Sequence, residues 1–138
     1  MNRNLAVAIA VIVAAVIGVR LSQEDGSESR AGCDGVRDAV AVLTGVEESG
    51  TVPTAAVYDE AARSIRRAAV TAPAGVSPDL HAVADSYGQL GILFQGFDPA
   101  DPSTYGIIEQ RTPEIEREEA RLDEASARVT AWLQATCG

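Results

Sequence analysis

Apolar positions along the chain follow two different rhythms. From Leu5 to Val19 they are continuous, fifteen apolar or small residues without a charge. Beyond Cys33 they recur every three or four residues, the repeat of a helix that buries one face. Four such segments are predicted. The first runs from Asp34 to Glu48, with Val36, Val40, Leu43 and Val46 or Glu47 in register and Ser49-Gly50 as its stop. The second runs from Pro53 to Ala72, placing Val57, Ala61, Ile65, Ala68 and Ala72 on one face, and Pro73 and Gly75 end it. Ser77-Pro78-Asp79 opens the third: a cap, a proline at a position whose N–H would be unpaired anyway, and an acid that complements the helix dipole. Its face is Leu80, Val83, Ala84, Tyr87 and Leu90, and Gly88 and Gly91 weaken its second half, each costing about 1 kcal/mol relative to alanine. Thr112-Pro113-Glu114 opens the fourth by the same logic, with Ile115, Leu122, Ala125, Val129 and Trp132 inward as far as about Ala135. Between the last two, Gln95–Arg111 carries two Asp-Pro steps and two glycines and reads as a loop.

The continuous run belongs to a different kind of element. Arg3 precedes it, Arg20 follows it, and the polar, acidic stretch SQEDGSES comes next. That order predicts a signal-anchor or signal peptide over residues 1–21, with the amino terminus cytoplasmic and the remainder carried across the membrane. Residues 22–32 then form a polar linker and residues 33–138 an extracytoplasmic helical domain. If uncleaved, residues 5–19 hold the chain to the membrane as a single-pass protein; if cleaved, the domain is secreted.

Charge narrows the choice of partners. All eleven basic residues are arginine, and nine of them lie beyond residue 21, against twenty acidic residues. A surface this acidic repels phosphates, so nucleic acid is not an expected partner. The six aromatic residues are too few to dominate the core. It must be built mainly from Ala, Val, Leu and Ile, which bury little area each.

The only two cysteines, Cys33 and Cys137, bracket the four segments. In an exported chain an even number so placed reads as a disulfide. An up-down bundle brings its two ends to the same side only when the helix number is even. The pairing therefore predicts an all-α, disulfide-closed, up-down four-helix bundle.

Cys33, the punctuation Thr71-Ala72-Pro73-Ala74 and the ending Val129, Trp132, Cys137, Gly138 together resemble small exported helical proteins of actinobacterial type. The resemblance covers residues 33–138. It implies an exported helical scaffold and no particular activity. Many members of that group are lipoproteins or cleaved secreted proteins, whereas here Arg30-Ala31-Gly32 precedes Cys33 and makes no lipobox.

Candidate chemistry is sparse. No phosphate-binding loop, nucleophile elbow or zinc-protease motif is present, and no catalytic, metal or cofactor site is expected. His81, the sole histidine, has Asp85 one helical turn on, which invites comparison with a general base and its orienting carboxylate; a partly exposed polar pair is the plainer reading. Arg63, Arg66 and Arg67 could clamp an anion, though Asp59 and Glu60 are placed to pair with them. Glu114, Glu116, Glu118, Glu119, Asp123 and Glu124 read as a solvated helix surface. Phe94, Phe97 and Tyr105 concentrate half of the aromatics near the loop, where they could anchor a protein partner or fold back on the bundle. The leading expectation is an envelope-located, non-enzymatic binding or accessory module, as in a small subunit of a membrane assembly. The alternative is a secreted enzyme or ligand carrier with a site assembled from scattered residues.

Overall fold

The computed structural model describes residues 27–50 and 52–138. Four α-helices make up nearly all of it: α1 Ser27–Glu48, α2 Ala55–Thr71, α3 Ser77–Leu93 and α4 Tyr105–Thr136, with a short 3-10 turn at Pro102–Thr104. No strand occurs among the described residues. Each helix packs on its neighbour in sequence, and α1 meets α4 to close the ring, as an up-down bundle requires. The membrane or signal segment, residues 5–19, and the first part of the linker lie outside the described residues. Among those described, no helix is long and apolar enough to cross a membrane.

Cys33 and Cys137 form a disulfide with their Cα atoms 5.9 Å apart. The even helix count inferred from their positions is thus the observed one. Arg37 reinforces this end of the bundle, its guanidinium donating to the Cys137 carbonyl at 3.3 Å and pairing with Asp34 at 3.1 Å. A disulfide of this kind indicates an oxidising, extracytoplasmic environment.

Several expected boundaries move. α1 begins at Ser27, so the last residues of the expected linker are helical and Cys33 lies inside α1 rather than ahead of it. Ser49-Gly50 does stop the helix, with Gly50 at φ 68°, a left-handed conformation that favours glycine. α2 starts at Ala55 with Pro53 outside it. Its buried face is Tyr58, Ala61, Ala62, Ile65 and Ala69, and Val57 is 42% exposed. The aromatic ring, with more apolar surface to bury than valine, takes the inward position.

α3 keeps all five expected core residues and runs through both glycines to Leu93. Gly91 explains its own presence: a Cβ there would collide with the Asp59 side chain of α2 and lie 3.6 Å from the Ala55 carbonyl. What the glycine costs in helix propensity, the close approach of α2 and α3 offsets. Ser77 does not cap α3 with its side chain; its hydroxyl donates back to the Ala69 carbonyl of α2 at 2.7 Å, satisfying an acceptor near the end of that helix.

The largest departure is in α4, which starts at Tyr105 and carries Pro113 inside it. An internal proline costs roughly 3 kcal/mol by removing a backbone bond. The preceding two turns are held by other means. Arg111 donates to the Leu93 carbonyl at 2.7 Å, the Thr112 hydroxyl to the Ile108 carbonyl at 2.8 Å, and the Tyr105 hydroxyl to the Pro99 carbonyl at 2.7 Å. The expected loop therefore shrinks by its second half.

Candidate functional site

The early start of α4 creates the site. Phe97, Pro99 and the first turns of α4 form one end of an open groove of about 1040 Å³. From there the lining follows the helix through Ile108, Glu109, Thr112, Glu116, Glu119 and Asp123. From Glu109 onward these positions advance in steps of three and four, so the groove tracks a stripe of α4 that runs along the buried Ile115.

The three aromatics predicted as a partner-binding group end up at different depths. Phe94 is only 2% exposed and belongs to the core. Tyr105 is 44% exposed, and half-buried Phe97 lies between them. The rings form a chain from the interior outward: Tyr87 to Tyr58 at 6.0 Å between centroids, Tyr58 to Phe94 at 5.0 Å, Phe94 to Phe97 at 5.9 Å, and Phe97 to Tyr105 at 5.8 Å. Phe94 thus supports the groove from beneath while Phe97 and Tyr105 shape its surface.

The connecting segment is rigid for a loop. Asp101 accepts from the Ser103 backbone at 3.0 Å and its hydroxyl at 2.7 Å, and those bonds hold its carboxyl below the usual range. The Thr104 hydroxyl bridges to Asp98, accepting from its N–H at 3.0 Å and donating to its carbonyl at 2.9 Å. Aromatic anchors on such a segment lose little freedom on binding.

Towards its far end the groove becomes acidic and approaches the interior. Glu47 of α1 and Glu119 and Asp123 of α4 all have carboxyl pKa values raised by burial. Asp123 and Glu119 add repulsion at Glu47, and Asp123 and Glu116 do so at Glu119. Tyr58 of α2 and Tyr87 of α3 face the same field, and their hydroxyls are pushed up by burial first and by these carboxylates second. Each helix of the bundle supplies one or more members of this convergence. The Tyr87 hydroxyl and Asp123 Oδ1 are buried, and neither has a hydrogen-bond partner among the described residues.

Comparison with known proteins adds no relative. No family model matches the chain, and no curated protein or solved structure matches it.

The remaining candidates resolve into surface pairs. Arg63 and Arg67 both reach Glu60, at 3.0 and 3.8 Å, and Arg66 reaches Asp85 at 3.4 Å. Glu60 rather than Asp59 is their partner. His81 is exposed, and the carboxylate one turn along from it is engaged by Arg66. Arg128 ties α4 to α3 through Asp79 at 2.7 Å and also holds Glu124 at 3.2 Å. Among the described residues no group of His, Cys, Asp or Glu side chains is arranged to hold a metal ion.

Sequence reasoning offered Glu47 as an inward position but missed Tyr58 and the convergence of both with Tyr87. A signal for half of it was present: Glu109, Thr112, Glu116, Glu119 and Asp123 keep the same three-four spacing as the core stripe. Such spacing marks a continuous face rather than scattered solvation.

Proposed function

We propose that the chain is an exported, envelope-located, non-enzymatic binding module, held to the membrane by residues 5–19 or released from it, whose protein partner docks along the α4 groove. The observation that carries this reading is the groove itself: one continuous surface with an aromatic end on a rigid segment and an acidic end over the bundle interior. The disulfide supports the extracytoplasmic placement. A reporter active only outside the cytoplasm, fused after Gly138, gives signal if the proposed orientation holds; signal only from a cytoplasm-active reporter contradicts it.

The docking reading is tested by co-purification and cross-linking from solubilised membrane or culture medium. Tyr105→Ala removes an exposed anchor and Ala120→Trp obstructs the groove at an exposed position. Both should abolish capture of the partner while the protein stays folded. Capture unchanged by either variant places the interface elsewhere.

A further inference from the structure

We infer that the docking segment presents an arginine or lysine side chain whose charged head pairs with Glu119 and Asp123 at the acidic end of the groove. The inference rests on the groove reading above and names the chemistry of its occupant.

Charge is the first argument. The groove lining contains Glu109, Glu116, Glu119 and Asp123 and no basic side chain. Of the arginines on α4, Arg111 bonds to the end of α3, Arg121 to Glu118 at 2.7 Å, and Arg128 to Asp79 and Glu124, while Arg117 is exposed and outside the lining. The acidic end therefore has no neutralising group of its own in the lining.

Burial is the second. Tyr87 is 1% exposed, yet its hydroxyl finds no described partner, and Glu47, Tyr58 and Asp123 all act on it. Asp123 Oδ1 is likewise buried and unpaired. Buried polar atoms left unsatisfied cost about 1–3 kcal/mol each, and an ammonium or guanidinium would supply donors to the carboxylates that line the groove. A cation there would also offset the burial that raises these carboxyl pKa values and the repulsion that adds to it at Glu47 and Glu119.

Size decides between cations. From Tyr105 to Asp123 the helix rises about 27 Å, which exceeds a small amine and suits a peptide segment. Its apolar portion would lie on Phe97, Tyr105 and Ile108, and its basic residue would reach the far end.

The test selects random linear peptides on the immobilised, oxidised full chain. The enriched peptides should carry a basic residue among apolar ones. Replacing that residue by norleucine should weaken binding about tenfold or more, and the same replacement should have almost no further effect on Glu119→Gln/Asp123→Asn protein, the coupling expected of a direct pair. Groove-bound peptides without a basic residue, lost with Tyr105→Ala but indifferent to Glu119→Gln/Asp123→Asn, would overturn the inference and leave the docking reading standing. Peptides indifferent to Tyr105→Ala and Ala120→Trp as well would overturn both. Spermidine binding at the acidic end while peptides do not would also overturn it, in favour of a small cation.

Discussion

Two seams of the bundle are built on opposite plans. Between α2 and α3 the contact is close and apolar: Ala61, Ala62, Ile65 and Ala69 meet Leu80, Val83, Ala84 and Tyr87, and Gly91 lets the backbones approach. Between α1 and α4 the contact is the sparsest in the ring. A disulfide fixes one end of it, and half-buried carboxylates repel each other towards the other. Small side chains suffice where the helices can pack to near-crystalline density. Where they do not pack, a covalent bond holds the helices, and the gap is free to carry groups that a well-packed core would exclude.

The largest way to break this contrast is to remove the bond. Closing a loop of about 100 residues is worth up to about 4.7 kcal/mol in the chain-entropy model, and the two cysteines here are 104 residues apart. Cys33→Ser/Cys137→Ser should therefore show a large fall in the midpoint of denaturant unfolding. A fall no greater than that of an average surface substitution would mean that packing alone closes the ring.

The opposite seam is tested by Ile65→Ala. Ile65 is fully buried, and truncation there should cost about 2–5 kcal/mol because tightly packed neighbours cannot collapse into the space. A loss below about 1 kcal/mol would show that α2 and α3 are looser than described.

Smaller, and of opposite sign, is the effect of the acidic gap. Glu47, Glu119 and Asp123 have folded-state pKa values above their ordinary ones. Between the ordinary and raised values the folded protein binds more protons than the unfolded chain, so these groups destabilise the fold at neutral pH and cease to do so as pH falls. Glu119→Gln/Asp123→Asn should raise the melting temperature at neutral pH by an amount worth about 1 kcal/mol. The gap from the parent should close as pH drops into the ordinary carboxylate range. A variant less stable than its parent at neutral pH would show that the carboxylates are satisfied as they stand.

How far the sequence reveals each seam follows from the same contrast. The α2–α3 seam is made of apolar side chains at helical spacing, so Ile65, Leu80, Val83 and Leu90 could be read directly. Even there the periodicity put Val57 inward, because one-residue steps around a helix are not resolved by hydrophobicity when Val57 and Tyr58 adjoin. The disulfide was legible because only two cysteines exist. α4 was read too short because Thr112-Pro113-Glu114 looks like a helix start on local chemistry; the bonds that carry the helix past it, from Arg111, Thr112 and Tyr105, include two to α3 and the loop. The acidic site was the least visible. Glu47, Tyr58, Tyr87 and Asp123 come from four different helices, and nothing local links them.

The most direct test of the two-seam account is hydrogen exchange on oxidised and reduced protein, followed peptide by peptide. Reduction should release protection first in α1, Ser27–Glu48, and in the last turns of α4, while the amides of α2 and α3 stay protected as a unit. Uniform loss of protection through all four helices, or none in α1, would contradict it.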